Sequence, residues 1–160
     1  MLNEKVVPCG IDVDINTAED NLCDSINMKN FHEATYLVQF VDLGTADTTV
    51  LVYSGASDAA CTSALPFKYR WASAKTTSAT CDVFGAWTDC AATGLVVAHG
   101  TYDDFMLQIY VDAAAMDVAN GEEWLTVDFK DASGGATGQA IVIALLKPRY
   151  ADASGVTCLA

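Results

Sequence analysis

The 160-residue sequence has little positive charge. It carries 8 Lys and Arg against 21 Asp and Glu, a formal net charge of −13 at pH 7. Such a chain repels phosphate backbones and anionic lipid, so we expect neither nucleic acid nor a membrane surface as its partner. No apolar run approaches the roughly 20 residues of a membrane-spanning helix. The longest, residues 140–146, has the length of a strand.

The sequence also lacks the common signatures of catalysis and cofactor binding. It contains no Gly-x-Ser-x-Gly, no His-Glu-x-x-His, no phosphate-binding glycine loop and no dinucleotide glycines. We interpret its only two histidines, His32 and His99, as structural residues. A hydrolase would need one of them to meet a nucleophile and a carboxylate in space. We therefore predict that the protein is not an enzyme and has no cofactor.

A metal site is not expected either. The sequence contains six cysteines, at Cys9, Cys23, Cys61, Cys81, Cys90 and Cys158. They form no Cys-x-x-Cys pair and have no histidine at zinc-ligand spacing, so free, mostly buried thiols are expected. The sequence leaves one alternative, a disulfide between Cys81 and Cys90 that forms in an oxidising medium. Asp12 and Asp14 lack the other ligands of a calcium loop.

Apolar and polar residues alternate along most of the chain. In the segment 34–42, Ala34, Tyr36, Val38 and Phe40 share one face, which predicts a central strand. Further strands are predicted at 48–54, 65–73, 94–100, 103–112, 122–130 and 139–147, and a short helical turn at 113–119. Segments 34–42 and 48–54 are predicted to form a hairpin. This pattern predicts an all-β protein, an antiparallel β-sandwich with the jelly roll as one arrangement.

One domain is expected, with less regular ends. We predict an N-terminal arm or edge strand over residues 1–23, the β-sandwich domain over 24–150 and a C-terminal tail over 151–160. Pro8 favours the extended arm, because proline has no amide hydrogen for a strand ladder. Polar loops are predicted at 17–21 and 133–138. The N-terminus lacks the apolar stretch of a secretion signal, which favours synthesis in a cytoplasm.

The chain is unusually apolar for a soluble protein of this size. Its residues are 52% hydrophobic and its mean hydropathy is +0.25. The segment 139–147 is apolar on both faces, which predicts a strand that is central or covered by a second layer. Surplus apolar surface without a membrane span indicates that a partner covers part of it. In the long connection 74–93, Trp87 is predicted to pack on its own sheet or on a neighbouring subunit.

Several segments, taken in order, resemble a known family. These segments are 24–32, 37–40, 50–58, 65–70, 123–127 and 146–150. They resemble the small β-rich decoration, or cement, proteins encoded with the structural genes of tailed bacteriophages. The resemblance implies a structural virion protein on the capsid exterior, made in the host bacterial cytoplasm. It also implies that the protein binds the major capsid protein and stabilises contacts between shell subunits.

The resemblance directs attention to two contact segments and to self-association, with a trimer favoured. The expected capsid or subunit contacts are Val6, Val7, Pro8, Lys147, Pro148, Arg149 and Tyr150. An alternative is a carbohydrate- or receptor-binding module on a virion surface. That module would use the same sandwich, with Trp71, Trp87 or Trp124 as an exposed stacking platform.

Overall fold

The computed structural model describes residues 4–15, 21–131, 135–150 and 155–159, which form two antiparallel β-sheets around one core. The described strands are β1 (Lys5–Asp14), β2 (Asn21–Leu22), β3 (Ile26–Asn27), β4 (Phe31–Gly44), β5 (Thr48–Gly55), β6 (Ser63–Ala64), β7 (Phe67–Trp71), β8 (Thr88–Cys90), β9 (Leu95–Val97), β10 (Met106–Asp112), β11 (Trp124–Asp131) and β12 (Thr137–Pro148). A helical turn, α1, spans His99–Tyr102, and 3-10 turns span Ala113–Ala115 and Val118–Asn120.

The two sheets confirm the predicted antiparallel β-sandwich. Sheet A has the strand order β1-β12-β4-β10-β7-β8. In sheet B, β11 pairs with β5, β2 and β3 pair with β11, and β6 and β9 pair with β5. Across the described ranges, no helix has both the length and the apolar character needed to cross a membrane.

Strand β4 supplies the centre of the core with one of its two alternating faces. Ala34, Tyr36, Val38 and Phe40 are all 0% exposed. Phe40 meets Phe129 of β11 edge to face, with ring centroids 6.0 Å apart. This aromatic pair joins sheet A to sheet B across the interior.

The predicted hairpin between segments 34–42 and 48–54 is wrong. Strand β4 belongs to sheet A and β5 to sheet B. Both edges of β4 are already paired, with β12 on one side and β10 on the other. The short link, in which Thr45 has a left-handed φ of 64°, therefore carries the chain across the core to the second sheet.

The N-terminal segment is an edge strand over residues 5–14, and the extended arm is not confirmed. Strand β1 pairs with β12, and the register is irregular between Pro8 and Gly10. Pro8 thus lies at a sheet edge beside a bulge, where its missing amide hydrogen is tolerated. The amide of Asp24 donates to the carbonyl of Cys9 at 2.7 Å, which ties this edge of sheet A to the β2–β3 link of sheet B.

Other boundaries differ locally from the predictions. The connection 74–93 contains β8, and the strand predicted at 94–100 ends at Val97 because α1 begins at His99. The predicted loop at 133–138 overlaps β12, which begins at Thr137. In the tail, the Cys158 carbonyl accepts the amide of Asn27 at 2.8 Å. Predicted loop residues 17–20 and 133–134, and tail residues 151–154 and 160, lie outside the described residues.

Candidate interaction surface

Three neighbouring strands of sheet A present apolar side chains away from the core. We call this set the apolar strip: Val6, Pro8, Leu37, Ile141, Ile143 and Leu145. Val6 is 63% exposed and Ile141 is 39% exposed. The residues that alternate with them in β12 are 0% exposed, among them Val142, Ala144 and Leu146. The two faces of β12 therefore differ in exposure although both are apolar.

The strand register makes the strip continuous. Val6 is paired with Leu145, and Pro8 with Ile143, across β1 and β12. On the other side of β12, Ile143 is paired with Leu37 of β4. Directly paired residues of antiparallel strands have Cβ atoms about 5 Å apart, so these side chains adjoin one another across three strands.

The structure brings the two expected contact segments together. Val6 and Pro8 lie in the strip, and Lys147 follows Leu145 on the same face of β12. Tyr150, just beyond β12, is 68% exposed. Val7 points the other way and is 2% exposed, so it belongs to the core and is not available as a surface contact.

Pro148 and Arg149 hold the end of β12 in place. Pro148 is paired with Phe31 across a register shift. The Arg149 amide donates to the carbonyl of Asn30 at 2.8 Å, and its Nε donates to the carbonyl of Phe31 at 2.8 Å. These two hydrogen bonds fasten the end of β12 to the beginning of β4, beside the strip.

Charged groups lie at one end of the strip. Lys147 Nζ pairs with Glu33 Oε1 at 2.9 Å. The hydrogen bond to Glu33, reinforced by the charges of Glu33 and Glu4, raises the pKa of Lys147 above its usual range. Lys147 therefore stays charged and offsets part of the negative charge at this end.

At the other end, exposed carboxylates flank β12 on both sides. Asp12 lies in β1 and Asp42 lies in β4, and both have left-handed backbones, with φ of 67° and 54°. Each lies where the pairing with β12 is irregular. Aspartate adopts this conformation more readily than most residues, and bulges commonly redirect side chains at sheet edges.

Sequence reasoning missed Leu37, Ile141, Ile143 and Leu145 as surface residues. The available signal was the segment 139–147, whose two apolar faces predicted a central or covered strand. Strand β12 is central, between β1 and β4. Its outer face has no second layer from the described chain, so the apolar residues there are open to a partner.

The chain was compared with known families, proteins and structures. A scan against protein-family models and searches of curated proteins and of solved structures found no match.

The three tryptophans named for a stacking platform lie in different surroundings. Trp87 is 40% exposed and packs on its own sheet, edge-on to Tyr110 with centroids 6.0 Å apart and with the Arg70 guanidinium 4.5 Å from its ring centroid. Trp71 is stacked on Tyr102 at 3.9 Å. Trp124 lies in sheet B. A groove of about 260 Å³ beside Pro66 and Tyr110 has no tryptophan in its lining.

His99 meets a carboxylate. Its Nδ1 lies 2.8 Å from Asp47 Oδ1, which also accepts the His99 amide at 3.1 Å. These hydrogen bonds lower the pKa of Asp47. A hydrolase would also need a nucleophile beside the histidine. In the described part of the chain, His99 forms no hydrogen bond to a hydroxyl or thiol, so the structure supplies the histidine–carboxylate pair but not the third group. His32 is exposed at the start of β4.

Cys81 and Cys90 form no disulfide. Cys9, Cys23 and Cys158 are buried. Burial raises the pKa of Cys9 to about 12 and that of Cys23 further still, which makes both poor nucleophiles. Among the residues that the structure describes, no three His, Cys, Asp or Glu side chains cluster as metal ligands.

Proposed function

We propose that this protein is a structural virion protein that binds the outside of a tailed-phage capsid through the apolar strip. In this role it stabilises contacts between major capsid subunits. The observation that carries the proposal is the strip itself, in which six apolar residues from three paired strands are exposed or half-exposed on one sheet face. A contiguous apolar patch of this kind is typical of a protein–protein interaction site.

Two further features support a capsid as the partner. The segments that resemble decoration proteins include 37–40 and 146–150, which contain Leu37 of the strip and adjoin Leu145. Even a modest affinity for a single copy would suffice on a capsid, because a lattice repeats the contact many times. The trimer implied by the resemblance would bring several strips to the same lattice position.

The test is whether purified phage particles carry this chain. Quantitative mass analysis and electron imaging of purified particles should show this chain in near-stoichiometric amounts on the shell exterior. A protein absent from particles, or present only in traces, would contradict the proposal.

Point variants separate the strip from the rest of the surface. In Ile141→Asp a charge replaces a strip residue, and we expect occupancy on particles to fall more than tenfold because the new carboxylate loses its hydration within an apolar contact. Val96→Asp is the matched control, because Val96 is 57% exposed in β9 of sheet B. Both variants should fold, as judged by urea unfolding, and equal loss from the particles would remove the strip from the proposal.

A further inference from the structure

We propose, resting on the function above, that the surface bound by the apolar strip is a protein surface with an apolar centre and flanking Lys or Arg side chains. Asp12 and Asp42 carry this inference. Asp12 lies between Gly10 and Val13, whose partners in β12 are Val142 and Ala140. Asp12 is therefore level with Ile141, at the Ile141 end of the strip.

Asp42 flanks the same end of the strip from the opposite side of β12. Its neighbour Val41 is paired with Gln139. A Cβ placed on Gly138, whose φ is +134°, would lie 2.9 Å from the carbonyl oxygen of Asp42. The close approach shows that the Asp42 backbone lies directly against β12. A partner seated on the strip at Ile141 would thus meet a carboxylate on each side.

The cations of the protein do not neutralise these two carboxylates. Lys68 pairs with Asp89, Lys75 with Asp103 and Lys147 with Glu33. Lys5 donates to the carbonyl of Val156. Within the described ranges neither Asp12 nor Asp42 forms an ion pair, so their charge is available to a basic group of a partner.

A second copy of this chain fits the strip poorly. Asp12 and Asp42 lie at one end, while Glu4 and Asp112 are exposed near the other, where Lys147 is already paired. In a two-fold contact either end would face acidic groups, whichever way the copies were aligned. Like charges placed opposite one another oppose association, whereas a basic rim would favour it.

The decisive variant removes the two flanking charges without disturbing the backbone. Asp12→Asn/Asp42→Asn suits this purpose, because asparagine adopts left-handed φ values as readily as aspartate does. The matched control is Asp58→Asn/Asp82→Asn, which makes the same change in net charge at exposed positions in the connections after β5 and β7. Particles grown without this chain are titrated with each protein at low and at high salt.

We expect the Asp12/Asp42 variant to need about two- to tenfold more protein for half-saturation, and the control to match the unaltered chain. The difference should shrink in high salt, because screening shortens the range of the charges. The inference is overturned if the two double variants bind alike. It is also overturned if the unaltered chain self-associates and Ile141→Asp abolishes that association, since the strip would then bind a second copy.

A second probe keeps the inference separate from the capsid assignment. Failure of the unaltered chain to bind particles would reject the proposed function, and two synthetic peptides would then decide the inference. Both have the same Val/Ile centre, flanked by lysines in one and by glutamates in the other. Chemical-shift changes at Ile141 and Leu145 with the lysine peptide alone support the basic rim. No change, or equal changes with both peptides, rejects it.

Discussion

The outer faces of the two sheets are opposite in polarity and in exposure. On sheet A, the apolar residues Val6 and Ile141 are 63% and 39% exposed. On sheet B, the polar residues Thr126 and Asp128 of β11 are both 0% exposed. Antiparallel sheets with one face in water usually place polar residues outside, and there they remain solvated. Here each sheet departs from that rule in its own way.

Sheet B is covered by its own chain. Ser25 Oγ and Thr126 Oγ1 are hydrogen-bonded at 2.7 Å, and the Ala59 amide donates to Ser25 Oγ at 2.9 Å. The loop after β5 folds back so closely that a Cβ on Gly55 would lie 1.8 Å from the carbonyl oxygen of Ala60. The buried hydroxyls of Ser25 and Thr126 are thus paired within the chain, whereas no described segment of the chain covers the strip of sheet A.

The largest effect on folding stability is expected from a comparison of the two faces of β12, with one residue replaced on each face. Leu146 is 0% exposed and faces the core, whereas its neighbour Leu145 belongs to the strip. Leu146→Ala should lower the free energy of unfolding by about 2–5 kcal/mol, because it leaves a cavity. Leu145→Ala should change it by less than about 1 kcal/mol yet weaken particle binding. Urea unfolding measures the first quantity, and similar losses for both variants would mean that the strip is part of the folding core.

This contrast also shows what sequence patterns reveal and what they leave out. Alternation in 34–42 predicted a strand with Tyr36 and Phe40 on one face, and the structure buries that face, because a strand in a sandwich buries every second side chain. The apolar character of both faces of 139–147 located a central strand. The apolar pattern did not distinguish a face covered by the same chain from a face that a partner covers, since apolar residues are expected on both kinds of face.

Long-range pairing was beyond the reach of local patterns. Adjacent segments 34–42 and 48–54 predicted a hairpin, but β12, nearly 100 residues later, occupies the edge of β4. The contact residues Val6 and Lys147 were chosen from separate segments, and only the register of β1 on β12 places them near each other. The flanking carboxylates Asp12 and Asp42 were likewise invisible as a pair, because bulges on different strands align them.

An intermediate effect on folding stability is expected from a substitution in the segments that cover the outer face of sheet B. Ser25→Ala removes the hydroxyl that joins Thr126 to the Ala59 amide, leaving buried polar groups without this partner. We expect a loss of about 1–3 kcal/mol in the free energy of unfolding. Ser57→Ala, at an exposed position in the same loop, should change it by less than about 0.5 kcal/mol. Particle binding should survive in both variants, and its loss in Ser25→Ala would mean that the two outer faces are coupled.

The smallest effect is expected at the link between the sheets, which belongs to neither outer face. There Asp47 accepts two hydrogen bonds from His99, and these lower its pKa from the ordinary value of 3.8. The resulting stabilisation is present above that ordinary pKa and is lost as the pH falls through the lowered one. His99→Ala should raise the pKa of Asp47 only part of the way back, because the backbone amide still donates. Carboxyl NMR titration measures the shift, with His32→Ala as the control that leaves the pKa of Asp47 unchanged.

The unaltered protein and His99→Ala should differ in their free energy of unfolding in urea near pH 6. Near pH 2 the two values should converge, since Asp47 is then protonated in both proteins. A difference that persisted in acid would place the contribution of His99 in packing instead of in its bond to Asp47.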